Sequence, residues 1–372
     1  MIVRGAVLRE MGLPAPYASS RPLVIEDVDL GGPGAGELLI GVRAAGLCHS
    51  DLSVVNGSRP RVMPMVLGHE AAGEVLEVGP GVVDFSVGDH VVLAFVPGCG
   101  ECGPCLGGRP ALCEPGAAAN AVGTLLSGER RWTLAGEEVV HHHLGVSAFA
   151  EQIVVSQRSA VRVDPGLPFE LAALFGCAVL TGVGAALNAV AIAPGDSVAV
   201  FGLGGVGLSA VLGALYAGAE VVAIDRVADK LALAAELGAT TVVAGEGTVE
   251  AVRSLTDGGA VHVIETVGSA FVLAQAYAAT RRGGTTVTVG LPDPSQQLSI
   301  AAVSLVAEER TLKGSYLGSA IPSRDIPRYI ELYQQGLLPV DRLLTHRLTL
   351  EELNEGFDRL DSGDCIRQVV VP

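Results

Sequence analysis

Residues 198–225, VAVFGLGGVGLSAVLGALYAGAEVVAID, decide the fold. A β-branched run leads into Gly202, Gly204 and Gly207 in GxGxxG spacing, then a helical stretch, then a second strand ending in Asp225. Gly202 permits a tight turn, Gly204 lets backbone approach a pyrophosphate, and Gly207 lets helix and strand pack closely. The phosphates of a dinucleotide then face the free N–H groups of the helix. Asp225, 23 residues after Gly202, ends the second strand, where a carboxylate accepts hydrogen bonds from an adenosine ribose. It also repels a 2′-phosphate, which favours NAD over NADP, although the adjacent Arg226 is a residue that can serve NADP.

Outward from this stretch the rhythm continues as strand, loop, helix, strand. Strands are expected at TVVA, VHVIETV and TTVTVG, with helical segments TVEAVRSL and SAFVLAQAYAATR between them. That alternation predicts a doubly wound parallel sheet, the Rossmann arrangement. Residues 1 to about 178 read differently. LLIGVRAAGL, AAGEVLEVG and DHVVLAFV are β-branched runs between glycine- and proline-rich turns, so this part is mostly β. After about 318 come two helical patches, RDIPRYIELYQQG and LEELNEGFDRLDSG, and a final strand RQVVVP, which is expected to return to the first domain.

Composition limits the function classes. The chain has 372 residues, enough for two cores, with 49% hydrophobic and 17% charged residues, which excludes a disordered chain. The formal net charge of -16 makes nucleic acid an unfavourable partner. No run of ~18 uninterrupted apolar residues suggests a membrane span, and the basic and acidic first ten residues do not resemble a signal peptide. The expected location is the cytoplasm.

Seven cysteines are an odd number for a disulfide framework in a reducing compartment, so metal ligation, nucleophilic catalysis or core packing are the roles to weigh. Cys99, Cys102, Cys105 and Cys113 lie within fifteen residues as CxxCxxC plus a fourth cysteine. Four thiolates leave no open coordination position, so the expectation is a structural zinc, with an Fe–S cluster as the rival. A dispersed set comprises Cys48 in GLCHSD, His69 and Glu70 in GHE, and Cys177 in FGCAVLTG. Two cysteines and one histidine leave a fourth position for water or substrate, as in a catalytic zinc. Cys177, in an apolar stretch, also reads as a small hydrophobe. Glu70 and Asp51 make a metal-centred network more plausible, because a ligating imidazole usually donates its other N–H to a carboxylate.

Taken together, GLCHSD, GHEAAGEV, the four-cysteine loop, GCAVLTGVGA, GLGGVGL and EELNEGFDRLDSGDCIRQVV occur in one order over essentially the whole chain. They resemble the zinc-dependent alcohol dehydrogenases of the medium-chain dehydrogenase/reductase superfamily. VGTLLSGERRWTLAGEEVVHHHLGVSAFAE is similar to their long-loop branch. The resemblance implies an α/β protein with a β-rich GroES-like catalytic domain, residues 1–178 and 319–372, and a Rossmann NAD-binding domain, residues 179–318. Hydride transfer is expected in the cleft between them. It implies two Zn²⁺ per chain, NAD(H), a small alcohol or aldehyde as partner, and a homodimer, with a tetramer as the other option.

By the same resemblance Cys48, His69 and Cys177 would hold the catalytic zinc, with Glu70 as an occasional alternate ligand, Asp51 orienting His69 and Ser50 taking the alcohol proton. His49, Thr181, Gly205, Val206, Lys230, Val267, Val289, Gly290, Leu291 and Arg367 join the glycines and Asp225 as implied cofactor contacts. Lys230 also reads as a solvated helix charge, and Arg367 as a surface residue. Arg59, Phe95, His143, Leu144, Leu291 and Tyr316 are candidates for the substrate pocket, with core packing an equal account of the apolar ones. His143, in the run His141-His142-His143, also reads as a satisfied loop histidine. Where many relatives have a proton-relaying histidine this chain has Ser53, which cannot act as a base near neutral pH. A thiol-adduct formaldehyde dehydrogenase, using glutathione or mycothiol, is the competing enzyme reading. A nucleotide- and zinc-binding regulatory or structural protein is the competing non-enzyme reading.

Overall fold

A computed structural model describes residues 1–134 and 138–372. The chain divides into two compact units. The first contains Met1–Cys177, Ile321–Ile330 and Leu344–Pro372, and the second Ala178–Ala320 and Glu331–Leu343. The second unit extends beyond the 179–318 expected from sequence and takes in Glu331–Leu343.

The second unit is built on a six-stranded sheet. Its spatial order is Thr240–Val243, Glu220–Asp225, Ser197–Phe201, Ala260–Glu265, Thr280–Thr288 and Thr311–Gly314. Every pairing is parallel. In chain order this is 3-2-1-4-5-6, the doubly wound arrangement, with ligand sites at the carboxyl ends of strands where the order reverses. Val198, Ala199 and Val200 are fully buried, which is why the run is continuously apolar instead of alternating. The helices Gly205–Tyr216, Ala228–Glu236, Thr248–Leu255 and Ala270–Ala279 connect successive strands. Phe201, Val222, Ile224, Val252, Val263 and Ala276 form one of its core clusters.

The first unit is β-rich. Five strands, Ile2–Leu8, Leu23–Leu30, Trp132–Leu134, Glu138–His142 and Met65–Val66, close into a barrel. A seven-stranded sheet runs Ala160–Arg162, His90–Leu93, Ala71–Val78, Glu37–Gly46, Arg367–Val370 and Leu344–Leu348, with Gln152–Ser156 also paired to Glu37–Gly46. The expected strands in LLIGVRAAGL, AAGEVLEVG and RQVVVP therefore share one sheet. The C-terminal strand pairs Val369 with Gly46 and Val370 with Ala45.

Candidate active site and nucleotide loop

Strand Glu37–Gly46 delivers Cys48 to the start of a helix, His49–Val55, for which Cys48 is the N-terminal flanking residue. Gly46 N–H donates to the Glu70 carbonyl at 3.0 Å, setting GHE beside GLCHSD. Cys177 follows the short helix Phe169–Leu174, and a Cβ at Gly176 would collide with the Leu93 carbonyl, so only glycine lets the chain in here. The ligand atoms of Cys48, His69 and Cys177 come within 4.8 Å of one another, and all three side chains are buried.

Asp51 Oδ1 accepts from Gly68 N–H at 3.2 Å and meets His69 Nδ1 at 3.0 Å. With Nδ1–H turned to a carboxylate, Nε2 is the His69 atom left to bind a metal, and that buried atom has no hydrogen-bond partner among the described residues. Cys177 and, against the cost of burial, His69 hold the Cys48 thiol well below its ordinary value. Burial lowers the His69 imidazole, but Asp51 and Cys48 outweigh it and raise it to about 10. Burial likewise raises the Asp51 carboxyl, while His69 and His143 pull it well below the carboxylate range. Thiolate beside imidazolium is a charge pattern that a divalent cation satisfies, releasing a proton as it binds. An orphaned imidazole nitrogen converging with two thiols fits a zinc with an open fourth position.

The four-cysteine loop forms the second group. Its Sγ atoms also lie within 4.8 Å of one another, with Cys99 to Cys105 at 4.0 Å and Cys102 to Cys113 at 3.9 Å. Four sulfurs ~2.3 Å from one ion stand roughly 3.8 Å apart, so these spacings suit a tetrahedral site. Backbone N–H groups of Cys102 and Glu101 donate to Cys99 Sγ, and those of Cys99 and Gly116 to Cys113 Sγ, at 3.2–3.5 Å. Those donors lower the Cys99 thiol to about 7, whereas burial and neighbouring sulfurs push Cys105 up to about 12.

Around the first group, the Phe95 ring meets His69 edge-on at 5.3 Å, and Leu144 is buried. Ser50 lies half-buried in the first turn of the helix, and His49 is exposed. Ser53 Oγ–H donates to the Ser50 carbonyl at 2.9 Å, an ordinary helical use of a serine. Arg59 is half-buried, with its backbone N–H on the Ser53 carbonyl at 2.8 Å.

Two further residues are buried beside this group. His143, read as a pocket wall or satisfied loop residue, is buried with Nε2 3.2 Å from Asp51 Oδ1. Arg367, implied as a cofactor contact and also read as a surface residue, is buried and ion-paired with Glu70, because the C-terminal strand enters the sheet beside Gly46.

In the second unit Gly202 has φ +90°, a left-handed turn that disfavours side chains, and a Cβ at Gly207 would collide with the Gly202 carbonyl. A Cβ at Gly204 would meet nothing within 4 Å, so this glycine has open space above it. Asp225 Oδ2 accepts from Leu203 N–H at 2.6 Å, and Oδ1 accepts from Arg226 and Val227 N–H at 2.7 and 2.9 Å. The carboxylate thus fastens the glycine loop to the second strand. Thr181 is buried, Lys230 half-buried, and Val267, Leu291 and Tyr316 are exposed. Val206, Val289 and Gly290 are partly exposed at strand ends and the helix start, while Gly205 is buried.

Sequence reading missed Glu265 and Thr266, which brace the same strand ends. Glu265 accepts from Gly268 N–H and the Thr288 hydroxyl, both at 2.7 Å, and burial pushes its carboxyl up. Thr266 Oγ1 sits 3.0 Å from the carbonyls of Phe201 and Gly202. The local signal was the acidic residue ending an apolar strand, VHVIE, in parallel with AID.

The doubly wound sheet, the β-rich partner unit and the zinc-type donor sets define a medium-chain zinc dehydrogenase. Comparison agrees: an alcohol dehydrogenase GroES-like domain family matches residues 34–165 and a zinc-binding dehydrogenase family matches 205–335. The chain belongs to the zinc-dependent alcohol dehydrogenases of the medium-chain dehydrogenase/reductase superfamily. Among its relatives is the NDMA-dependent alcohol dehydrogenase of Amycolatopsis methanolica, 41% identical over 361 residues, 95% of this chain and 97% of that protein. Alcohol dehydrogenase class-3 of Drosophila melanogaster is 37% identical, covering 95% of each. The structure of benzyl alcohol dehydrogenase from Acinetobacter calcoaceticus aligns with a TM-score of 0.92 at 32% identity, over 100% of this chain and 99% of that one.

Proposed function

We propose that this oxidoreductase interconverts a primary alcohol, aliphatic or aromatic, and its aldehyde, using two Zn²⁺ per chain and NAD(H). The observation that carries the reading is the buried Cys48, His69, Cys177 set, whose His69 Nε2 has no hydrogen-bond partner among the described residues. Cys48, His69 and Cys177 would hold the catalytic zinc, and Cys99, Cys102, Cys105 and Cys113 the structural one. When bound, the catalytic zinc supplies a Lewis acid at its open position and the nicotinamide supplies the hydride acceptor.

The chain's own residues do the rest. Asp51 fixes the His69 tautomer, and Ser50 takes the proton of the alcohol. Ser53 is no onward base, since its hydroxyl is bonded to the Ser50 carbonyl, so the proton leaves by water or another group. Asp225 supports NAD over NADP through its anionic charge at the strand tip. A related structure from Sinorhizobium meliloti 1021 is bound to NADP, at 25% identity and a TM-score of 0.79, which makes Asp225 the residue to test.

The kinship with an NDMA-dependent enzyme supports a second form of the same reading, in which nicotinamide stays bound and an external acceptor regenerates it. An NADH-linked screen of primary alcohols and aldehydes, run with and without NDMA and with zinc quantified, tests both forms. Turnover restricted to formaldehyde with glutathione or mycothiol would instead support the thiol-adduct reading. NADH binding without turnover of any alcohol or aldehyde would sink both enzyme readings.

A further inference from the structure

His143 is 1% exposed and has no task in the reaction above. Its Nε2 lies 3.2 Å from Asp51 Oδ1, the oxygen that also meets His69 Nδ1 at 3.0 Å and Gly68 N–H at 3.2 Å. The His143 and His69 rings meet edge-on at 5.8 Å. The topology dictates this meeting. Met65 and Val66 pair in parallel with His141 and His142, so the two chains continue side by side into His69 and His143. Ala148 and Phe149 N–H then donate to the Gly68 and Leu67 carbonyls, each at 3.0 Å.

The turn after His143 is tightly determined. His143 N–H donates to Ser147 Oγ at 2.8 Å, and its carbonyl accepts from Val146 N–H at 3.0 Å. Leu144 and Ser147 hold φ of 52° and 57°, a region L-residues seldom occupy, which persists only where surrounding structure demands it.

The geometry points to His143 as a positioning residue of the catalytic metal centre: its Nε2–H steadies the Asp51 carboxylate, and through it the His69 tautomer that ligates. The inference rests on the zinc reading above. A carboxylate can only accept, so an Nε2–H tautomer is the one that favours this 3.2 Å approach, although the alignment falls short of a hydrogen bond and the contact acts through charge. Asp51 is fully buried and its Oδ2 has no hydrogen-bond partner among the described residues, so the donors at Oδ1 carry the whole satisfaction of a buried charge. Without His143, the carboxylate loses one of the three polar groups around Oδ1 and is freer to turn from His69.

The test is release of zinc from the purified holoprotein to a chromogenic chelator, for wild type, H143F, H143L and H143Q. The four-thiolate loop, with no open coordination position, is expected to give a slower phase that doubles as a control for folding. In H143F and H143L the faster, catalytic phase is expected to accelerate about 10- to 100-fold, the usual scale for losing an outer-shell partner. Glutamine places an amide Nε2–H near the imidazole one, so H143Q is expected to stay within about threefold of wild type, well short of the outer-shell effect. Wild-type release rates in both apolar variants, or H143Q as fast as they are, would overturn the inference. A wild type showing only the slow phase contradicts the zinc reading itself and takes this inference with it, whereas two phases with no variant effect contradict this inference alone.

Discussion

Arg367 and Glu70 form an ion pair whose side chains are 4% and 0% exposed, directly behind the Cys48 and His69 segments. The pairing of Val369 with Gly46 and the Gly46 bond to the Glu70 carbonyl bring them together from opposite ends of the chain. A buried carboxylate tolerates this place because a guanidinium, charged at every accessible pH, answers it.

Removing one partner leaves a buried charge uncompensated. R367A is expected to lower stability by about 3–5 kcal/mol, while R367M combined with E70Q recovers most of the loss. Denaturant midpoints measure this, and an R367A protein within about 1 kcal/mol of wild type would show that the pair carries little.

The glycine loop separates packing from binding. G207A forces a methyl onto the Gly202 carbonyl and is expected to cost about 1–3 kcal/mol of stability. G204A, with no atom within 4 Å of the new methyl, should leave stability within about 0.5 kcal/mol. It should nevertheless weaken NADH about tenfold or more, because the methyl stands where the pyrophosphate approaches. Fluorescence titration of NADH decides; unchanged affinity in G204A would mean that the dinucleotide lies elsewhere.

Under the NAD reading, the charge of Asp225 would set cofactor choice. In D225S the preference for NAD over NADP should fall by about tenfold or more, since removal of a carboxylate relieves repulsion of the 2′-phosphate. The ratio of kcat/KM values for the two cofactors reads this out, and an unaltered ratio would leave Asp225 only as the anchor of the Leu203, Arg226 and Val227 N–H groups.

His142 makes the fold acid-sensitive. Burial, reinforced by Arg130, Arg131 and His141, lowers its pKa to about 3, and its Nε2 accepts from Arg131 N–H at 3.1 Å. The unfolded chain binds a proton below about 6.5 that the folded one refuses, so stability falls as pH drops from there toward about 3, by roughly 1.4 kcal/mol per pH unit. H142Q offers an amide group in place of the ring and cannot titrate. Urea unfolding between pH 6.5 and 4 should show a shallower slope for H142Q; identical slopes would assign the acid sensitivity to other groups.

What could be read in advance depended on range. The loop from Gly202 to Asp225 is local, so spacing alone set out strand, turn, helix and acidic tip. The four-cysteine loop was legible for the same reason. Cys48, His69 and Cys177 are far apart and were joined by resemblance, not by any periodicity. The barrel was hard to see because its strands are as short as Met65–Val66, too brief for alternation to register. The Glu70 partner and the inward turn of His143 depend on non-local pairing, of the C-terminal strand with Gly46 and of His142 with Val66, which no residue pattern near either site announces.

Dependence of alcohol oxidation on a zinc held by Cys48, His69 and Cys177 is probed by C177S. Zinc per chain and NAD reduction with a primary alcohol are measured on wild type and variant together. Wild type should hold two zinc per chain and form NADH, and C177S should hold one, keep its fold and NADH affinity, and lose turnover. A C177S protein that still oxidises alcohol at the wild-type rate, or a two-zinc wild type that binds NADH yet turns over no alcohol or aldehyde with or without NDMA, would contradict it.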